Sequence, residues 1–161
     1  MSGARSRDKR EAFADAVAAH LLATGLADTG LRSLARACGT SDRMLVYHFG
    51  SKEALLQRAL VRIVEGLGAE LDALVGTRRR APSRLREDLL DAAGSASFEP
   101  VVRLWFQVVG RAAEGEAPYV DAARALAEAW IAWLASRLPA ARADAAPEVF
   151  ADVEGRLLLR L

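Results

Sequence analysis

The sequence predicts an all-α fold, and three observations lead to this prediction. Apolar residues make up 52% of the 161-residue chain, and most of them are alanine and leucine, which are strong helix formers. Apolar side chains recur every three or four residues, the spacing that places them on one face of a helix. The sequence lacks the alternating β-branched residues and the Asn-Gly or Asp-Gly pairs that mark strands and hairpins. A chain of this length has room for a small module joined to a larger helical body.

The first predicted helix covers residues 8–24. Asp8 is expected to cap it, with Glu11 three residues later completing a capping box. Gly25 follows the last turn and is expected to end the helix in a left-handed conformation. One apolar stripe is expected to face the core, and it consists of Phe13, Val17 and Leu21.

Two short helices are predicted next, over residues 31–38 and 42–49. The turn between them is Gly39-Thr40-Ser41. Ser41 is expected to cap the second of these helices, because its hydroxyl can accept a hydrogen bond from a backbone N–H of the first turn.

The residues around this turn have the spacing of a helix-turn-helix. Ala35 is small where the two helices would cross, and Gly39, four residues later, can adopt the positive φ of a sharp turn. Leu34 and Leu45 are expected to close a small core between the helices. Together these positions predict a helix-turn-helix unit within an N-terminal three-helix domain.

A long fourth helix is predicted over residues 51–75, with Ser51 as its cap. Its apolar stripe is Leu56, Leu60, Ile63, Leu67, Leu71 and Leu74. The segment GTRRRAP at residues 76–82 then breaks the helical pattern. We therefore predict an N-terminal domain of residues 1–50 and a helical-bundle domain of residues 51–161, with residues 51–75 as the connecting helix.

The helical bundle is predicted to contain four further helices, over residues 83–93, 98–114, 118–138 and 148–161. An Ala/Pro-rich linker is expected between the last two, at residues 139–147. The last helix is still apolar where the sequence ends, at Leu158, Leu159 and Leu161. We expect either that the protein continues beyond Leu161 or that this end is buried against another surface.

Several classes of protein are disfavoured by composition. No run of about 18 uncharged apolar residues exists, so no membrane span is expected, and the N-terminus lacks the apolar segment of a signal peptide. We therefore expect a cytoplasmic protein. Cys38 is the only cysteine, and His20 and His48 are the only histidines, which argues against a disulfide or a Cys/His metal site.

An enzyme is not expected either. The sequence has no glycine-rich phosphate loop and no catalytic triad, and no cofactor is predicted. A Cys38–His48 nucleophile pair is conceivable, but no third group supports it.

Charge is distributed unevenly along the chain. Residues 1–60 contain nine Lys and Arg against six Asp and Glu, a balance of +3, whereas the remainder contains 13 against 15, a balance of −2. A basic N-terminal third suits a nucleic-acid contact surface, although an ordinary solvated surface would also look like this.

Helical plotting of residues 42–49 separates a buried side from an outward side. Leu45 and Phe49 fall on the buried side, and Val46 and His48 lie on the flanks. The outward side, which would face a DNA major groove, consists of Arg43, Met44 and Tyr47.

The chemistry of these side chains suits DNA. Arg43 can bond bidentately to guanine, and Met44 can contact a thymine methyl group. Tyr47, His48 and Lys52 suit phosphate oxygens, Lys52 with help from the start of the fourth helix. The simpler alternative is that Tyr47 and His48 only cover a small helical bundle.

The segment GTSDRMLVYHFGSKEALL, residues 39–56, resembles the TetR family of bacterial transcriptional regulators. The resemblance covers about residues 8–60 and lies in a Gly-x-Ser turn, a Leu-x-Tyr-His-Phe helix and a Ser-Lys-Glu-x-Leu start to the fourth helix. It implies DNA contacts by Thr40, Arg43, Tyr47, His48 and Lys52. Ser41 and Met44 complete the predicted DNA-binding set.

The chain departs from the commoner family pattern at two positions. Arg43 stands where glycine is frequent, and Val46 stands where an aromatic residue is frequent. These departures leave the operator sequence unpredictable. Members of the family usually have a somewhat longer chain, which favours truncation at Leu161.

Two-fold symmetric DNA reading requires a dimer, because one recognition helix contacts only a few base pairs. The expected dimer surface lies on the last two helices, and its candidate residues are Trp130, Trp133, Leu134 and Leu158. A core role for Trp133 is the alternative.

The resemblance also implies a small-molecule effector that binds the C-terminal domain and lowers operator affinity. The candidate pocket residues are Leu67, Leu71, Trp105, Phe106, Gln107 and Tyr119. Gln107 would fix a ligand by hydrogen bonding among apolar neighbours. Trp105 lies on a core stripe, so a packing role is the alternative there.

The sequence thus predicts a dimeric repressor that binds a palindromic operator and is released by an unknown small molecule. In this interpretation residues 1–50 bind DNA, and residues 51–161 form the regulatory and dimerisation domain. The alternative is a small-molecule-binding helical protein whose helix-turn-helix no longer reads DNA.

Overall fold

The computed structural model describes residues 2–160, with side chains from residue 7 to residue 160. Within this range the protein is all-helical, as predicted, with eight α-helices, one 3₁₀ helix over Ala140–Ala145 and no strand. The α-helices are α1 (Ser2–Thr24), α2 (Leu31–Ala37), α3 (Asp42–Phe49), α4 (Lys52–Val75), α5 (Pro82–Ala93), α6 (Glu99–Ala113), α7 (Tyr119–Arg137) and α8 (Ala146–Leu158).

The chain folds into two compact units. The first unit consists of Met1–Ile63 and Arg103–Ala123, and the second of Val64–Val102 and Arg124–Leu161. Helices α4, α6 and α7 therefore contribute residues to both units. The predicted division at residue 50 follows the expected separation of functions, and it stays a prediction.

Helix α1 begins at Ser2 and not at Asp8, so the predicted capping box is wrong. Asp8 lies inside the helix, where its backbone N–H is already part of the helical ladder. Glu11 instead accepts a hydrogen bond from Nε of Arg58 on α4 at 3.1 Å. The predicted end is confirmed, because α1 stops at Thr24 and Gly25 has a φ of 70°.

The helix-turn-helix forms over α2 and α3 as predicted. Gly39 has a φ of 61°, and the N–H of Thr40 donates to the carbonyl oxygen of Ala35 at 2.9 Å, which closes the turn. Leu34 and Leu45 are both buried in the small core beside it. This geometry fixes the direction in which α3 leaves the turn.

Helix α4 begins with the predicted serine cap. The Ser51 hydroxyl accepts a hydrogen bond from the N–H of Ala54 at 3.1 Å. In the first unit, α4 buries Leu55, Leu56, Ala59, Leu60 and Ile63. Ion pairs of Arg58 with Glu11 and of Arg62 with Asp15 join this part of α4 to α1.

The second unit has its own core, with contributions from α5, α7 and α8. The aromatic ring of Trp130 on α7 packs against Phe98 at 5.9 Å and Phe150 at 6.2 Å between centroids. An ion pair between Arg86 and Asp152 joins α5 to α8.

The predicted linker at residues 139–147 is in part helical, which corrects the sequence interpretation. Residues Ala140–Ala145 form a 3₁₀ helix, and α8 starts at Ala146 with Pro147 in its first turn. A proline is tolerated there because the first-turn N–H groups have no partner within the helix. Helix α8 ends at Leu158, and Leu161 lies outside the described residues.

Candidate nucleic-acid interface

Helix α3 has the two sides that helical plotting predicts. Leu45 and Phe49 are buried, with 1% and 7% of their surface exposed. On the other side Arg43 is exposed, and Tyr47 exposes 76% of its surface. An aromatic side chain held this far out of a packed helix offers a rigid, partly polar surface to a partner.

The turn residues hold α3 in place. The Ser41 hydroxyl accepts a hydrogen bond from the N–H of Met44 at 3.4 Å, so the predicted cap is confirmed. Thr40 and Met44 are half-buried, and Ser41 is exposed. All three lie at or just before the N-terminal end of α3, as Arg43 does.

The side chain of His48, on α3, is half-buried against α1. Its ring meets the ring of Phe13 edge-on at 5.4 Å and that of Tyr47 at 5.2 Å. Its Nε2 atom is buried and has no hydrogen-bond partner among the described residues. A phosphate contact by His48 would therefore have to use Nδ1.

Lys52 is the first residue of α4 and exposes 42% of its side chain. Its Nζ atom lies 3.9 Å from a carboxylate oxygen of Glu53, a weak surface pairing that a phosphate could replace. Lys52 also lines a cavity of about 210 Å³, together with Thr29 and Tyr119. Burial raises the pKa of Tyr119, so its hydroxyl stays protonated at neutral pH.

Sequence reasoning missed the basic side chains near the start of α1. Arg7, Lys9 and Arg10 are exposed. The Lys9 ammonium lies 5.7 Å from the ring centroid of Phe13, and the Arg10 guanidinium lies 5.1 Å from that of Phe49. The cluster RSRDKR at residues 5–10 was visible in the sequence, but its position beside α3 was not.

The comparisons with known proteins agree with this architecture. The model of bacterial regulatory proteins of the tetR family matches residues 16–59, which span the C-terminal part of α1, the helix-turn-helix and the start of α4. These residues therefore form a TetR-type DNA-binding domain.

The solved structures add a match over nearly the whole chain. A candidate transcriptional regulator from Streptomyces coelicolor A3(2) matches with a TM-score of 0.71 and 22% identity, over 93% of this chain and 85% of that one. At this identity the likeness concerns the fold. No curated protein sequence matches the chain.

The positions at which the chain departs from the commoner TetR-family pattern are both on the surface of α3. Arg43 is exposed, and Val46 exposes 42% of its surface. Neither departure disturbs the core of the helix-turn-helix, because Leu45 and Phe49 carry that packing.

The conceivable nucleophile pair has no support in the geometry. The Cys38 thiol lies 3.6 Å from the carbonyl oxygen of Phe13, and burial raises its pKa. A raised pKa disfavours the thiolate that a cysteine nucleophile needs. Within residues 7–160 no group of three His, Cys, Asp or Glu side chains is placed to hold a metal ion.

The six predicted effector-pocket residues do not line one cavity and are divided between the two compact units. Leu67 and Leu71 are buried in the second unit, whereas Trp105, Phe106 and Gln107 are half-buried on α6 in the first. Gln107 lines a surface cleft of about 360 Å³ with Leu26, Ala27, Gly110, Arg111 and Glu114. Tyr119 lines the other cavity, beside Lys52.

Three of the four predicted dimer-interface residues lie in the core of the second unit. Trp130, Trp133 and Leu134 expose 8%, 7% and 0% of their surface, which leaves little for a second chain. The Trp133 Nε1–H donates to Asp72 at 2.8 Å, in line with the alternative core role. Leu158, at the end of α8, exposes 57% of its surface.

No helix within residues 2–160 is both long enough and apolar enough to cross a membrane.

Proposed function

We propose that this TetR-family regulator is a dimeric repressor that binds a palindromic operator through α3 and is released by a small-molecule effector. The two sides of α3 are the main support. Its buried side is packed into the helix-turn-helix, while Arg43 and Tyr47 are exposed on the other side. A helix held in this way can enter the major groove without rearranging its own core.

Within this proposal, base reading and phosphate binding fall to different residues. Arg43, in the first turn of α3, is the base reader, because a guanidinium can bond bidentately to guanine. Met44 adds apolar contact. The phosphate-binding set is Thr40, Ser41, Tyr47, His48 and Lys52.

Dimerisation follows from the length of α3. An eight-residue helix reads only a few base pairs, and a dimer places two such helices about 34–36 Å apart on successive turns of one DNA face. Of the four predicted interface residues, Leu158 on α8 is the one whose side chain is exposed enough to contact a second chain.

The effector is proposed to bind beside α6. The cleft lined by Gln107 has a volume of about 360 Å³, which falls in the range of small-molecule sites. It lies in the same compact unit as α3, so a ligand there acts on the unit that reads DNA. Gln107 and Arg111 supply polar groups for orientation.

The deciding experiment is selection of bound fragments from random duplex DNA by the purified full-length protein. A palindromic consensus would support DNA reading and two-fold symmetry together. A lack of enrichment would overturn the proposal. If the same protein then melted at a higher temperature with a small molecule, the alternative of a ligand-binding protein that no longer reads DNA would replace it.

The selected duplex also permits a test of release. The proposal requires that an effector found by its raising of the melting temperature weakens binding of the protein to that duplex. Because binding linkage is reciprocal, the duplex should weaken effector binding by the same factor. Gln107→Ala should reduce both effects. An effector that stabilises the protein without changing DNA affinity would contradict the repressor-release part of the proposal.

A further inference from the structure

We infer that the basic start of α1 is a second DNA contact, which binds backbone phosphates beside the groove that α3 enters. The residues concerned are Arg7, Lys9 and Arg10, and this inference rests on the proposed function. They lie before residue 16, where the match to the TetR-family model begins. They are also absent from the DNA-binding set predicted from the sequence.

The first observation is the continuity of α1. The helix runs from Ser2 to Thr24 without interruption, so residues 7–10 lie on a helix anchored further along by the buried side chains of Phe13, Ala14 and Val17. Cations on such a helix hold a defined position, and a flexible tail would not fix them in this way.

The second observation is the position of these cations relative to the reading helix. Arg10 stacks over Phe49, the last residue of α3. Lys9 stacks over Phe13, whose ring contacts His48, and His48 in turn contacts Tyr47. The start of α1 therefore lies beside the C-terminal half of α3, next to the proposed phosphate contacts Tyr47 and His48.

This position favours phosphate over base contact. The major groove is about 12 Å wide and admits one helix, so groups flanking the end of that helix meet the backbone that borders the groove. The Lys9 ammonium and the Arg10 guanidinium each lie over an aromatic ring, yet both residues remain exposed to solvent. Their charged ends are thus held next to an aromatic surface and remain accessible.

The local charge has the sign that DNA requires. Residues 7–10 contain three cations and one anion, Asp8. The next carboxylate, Glu11, is bound to Arg58 on α4 and is partly neutralised by it. Phosphate contacts of this kind add affinity without sequence information.

The test compares the full-length protein with Lys9→Gln/Arg10→Gln on two duplexes of equal length, the selected operator and a scrambled sequence. Dissociation constants are measured over a series of salt concentrations. Each lost phosphate contact lowers the slope of log affinity against log salt by about 0.9, so the double variant should lose about 1.8. The ratio of affinities for the two duplexes should not change.

A matched control removes two charges elsewhere. Arg78 and Arg79 are exposed in the segment between α4 and α5, and Arg78→Gln/Arg79→Gln lowers the net charge by the same amount. Its slope should equal that of the wild type. If both variants lowered the slope equally, the effect would be one of overall charge, and the inference would be overturned.

Arg7→Gln/Lys9→Gln leaves the Arg10–Phe49 contact in place and serves if the first variant unfolds. An unchanged slope in a folded variant would overturn the inference and leave the proposed function standing. Failure of the wild type to bind either duplex would overturn both.

Discussion

The side-chain oxygen of Gln107 accepts a hydrogen bond from the backbone N–H of Leu26 at 2.7 Å. Four residues earlier on α6, Arg103 donates to the carbonyl oxygens of Leu22 and Ala23 at 2.9 Å and 3.2 Å. The last carbonyl groups of a helix have no partner within it, and here α6 supplies one. Two side chains of α6 thus hold the C-terminal end of α1, close to Gly25.

Gly25→Ala should destabilise the protein by about 2 kcal/mol or more. A φ of 70° costs an L-residue roughly 1–2 kcal/mol. The new Cβ would also overlap the Gln107 amide, lying 2.8 Å from Nε2, and displacing that amide breaks the bond to Leu26, at a cost of about 1 kcal/mol. Urea unfolding followed by circular dichroism measures the change.

Gly66→Ala is the matched control for this prediction. Gly66 lies inside α4, and a Cβ there would meet nothing within 4 Å. Alanine should therefore stabilise the protein by up to about 1 kcal/mol. Gln107→Ala alone already loses the bond to Leu26, so adding Gly25→Ala to that variant should cost only the φ contribution of about 1–2 kcal/mol, less than Gly25→Ala costs in the wild type. A Gly25→Ala protein as stable as the wild type would refute the account.

The end of α1 at Gly25 could be predicted from the sequence, whereas its packing against Gln107 could not. Gly25 was predicted to end α1, because a glycine after a periodic apolar run is a local signal. The hydrogen bond between Leu26 and Gln107 beside it was not predictable, because these residues are 81 positions apart and no local pattern records such a pairing. Gln107 was instead predicted as a ligand residue, from its polarity among apolar neighbours.

The reading helix was predicted with its observed limits because two independent local signals agree there. Ser41 marks the start, and the spacing of Leu45 and Phe49 sets the buried side. The start of α1 was placed wrongly, because Asp8 resembles a cap although the helix continues before it. A capping residue inside a helix gives the same sequence signal as one at its start.

The buried face of α7 was predicted only in part. Trp130, Trp133 and Leu134 were predicted on the dimer surface, with a core role as the alternative for Trp133. All three are buried, and the other buried residues of α7 are Tyr119, Ala122 and Leu126. Apolar residues occur on every side of this helix, so periodicity alone does not select one face. Trp133 can be buried without leaving its indole N–H unpaired, because that N–H donates a hydrogen bond to Asp72.

Leu45→Ala and Tyr47→Ala should separate stability from DNA binding on a single helix. Leu45 is 1% exposed, and its truncation should cost about 2–5 kcal/mol. Tyr47 is 76% exposed and contacts only the edge of His48 among the ring pairs described, so its truncation should cost under about 1 kcal/mol. Thermal melting and duplex titration of both variants provide the measurements.

The opposite ranking is expected for DNA affinity at temperatures where both variants are folded. Tyr47→Ala should weaken binding to every duplex, since its proposed partner is a phosphate. Tyr47→Phe is the control that retains the ring without the hydroxyl. A folded Tyr47→Ala protein with wild-type affinity would favour the view that Tyr47 only covers the bundle.

Arg43→Ala and Lys52→Ala should affect DNA binding in different ways. Loss of a bidentate guanine contact should lower the preference for the selected over a scrambled duplex by about 1–3 kcal/mol. Loss of Lys52 should weaken both duplexes alike and reduce the salt slope by about 1. Both side chains are at least partly exposed, so neither variant should unfold the domain. An Arg43→Ala protein with unchanged preference would remove Arg43 as the base reader.

Asp72→Asn should destabilise the second unit at neutral pH, by an amount that shrinks in acid. The Asp72 carboxylate accepts hydrogen bonds from Arg137 and from Nε1 of Trp133, and these bonds hold its pKa below the usual value. Because the folded-state pKa is lowered, the stabilisation is present above the unfolded-state pKa of about 4 and is lost as the pH falls through the folded-state value. Urea midpoints of wild type and variant should therefore differ at pH 7 and begin to converge as the pH falls below about 4. Asp91→Asn, at an exposed carboxylate on α5, is the matched control and should follow the wild type at both pH values. A difference between wild type and Asp72→Asn that stayed constant with pH would show that the lost contact is one of shape and not of charge.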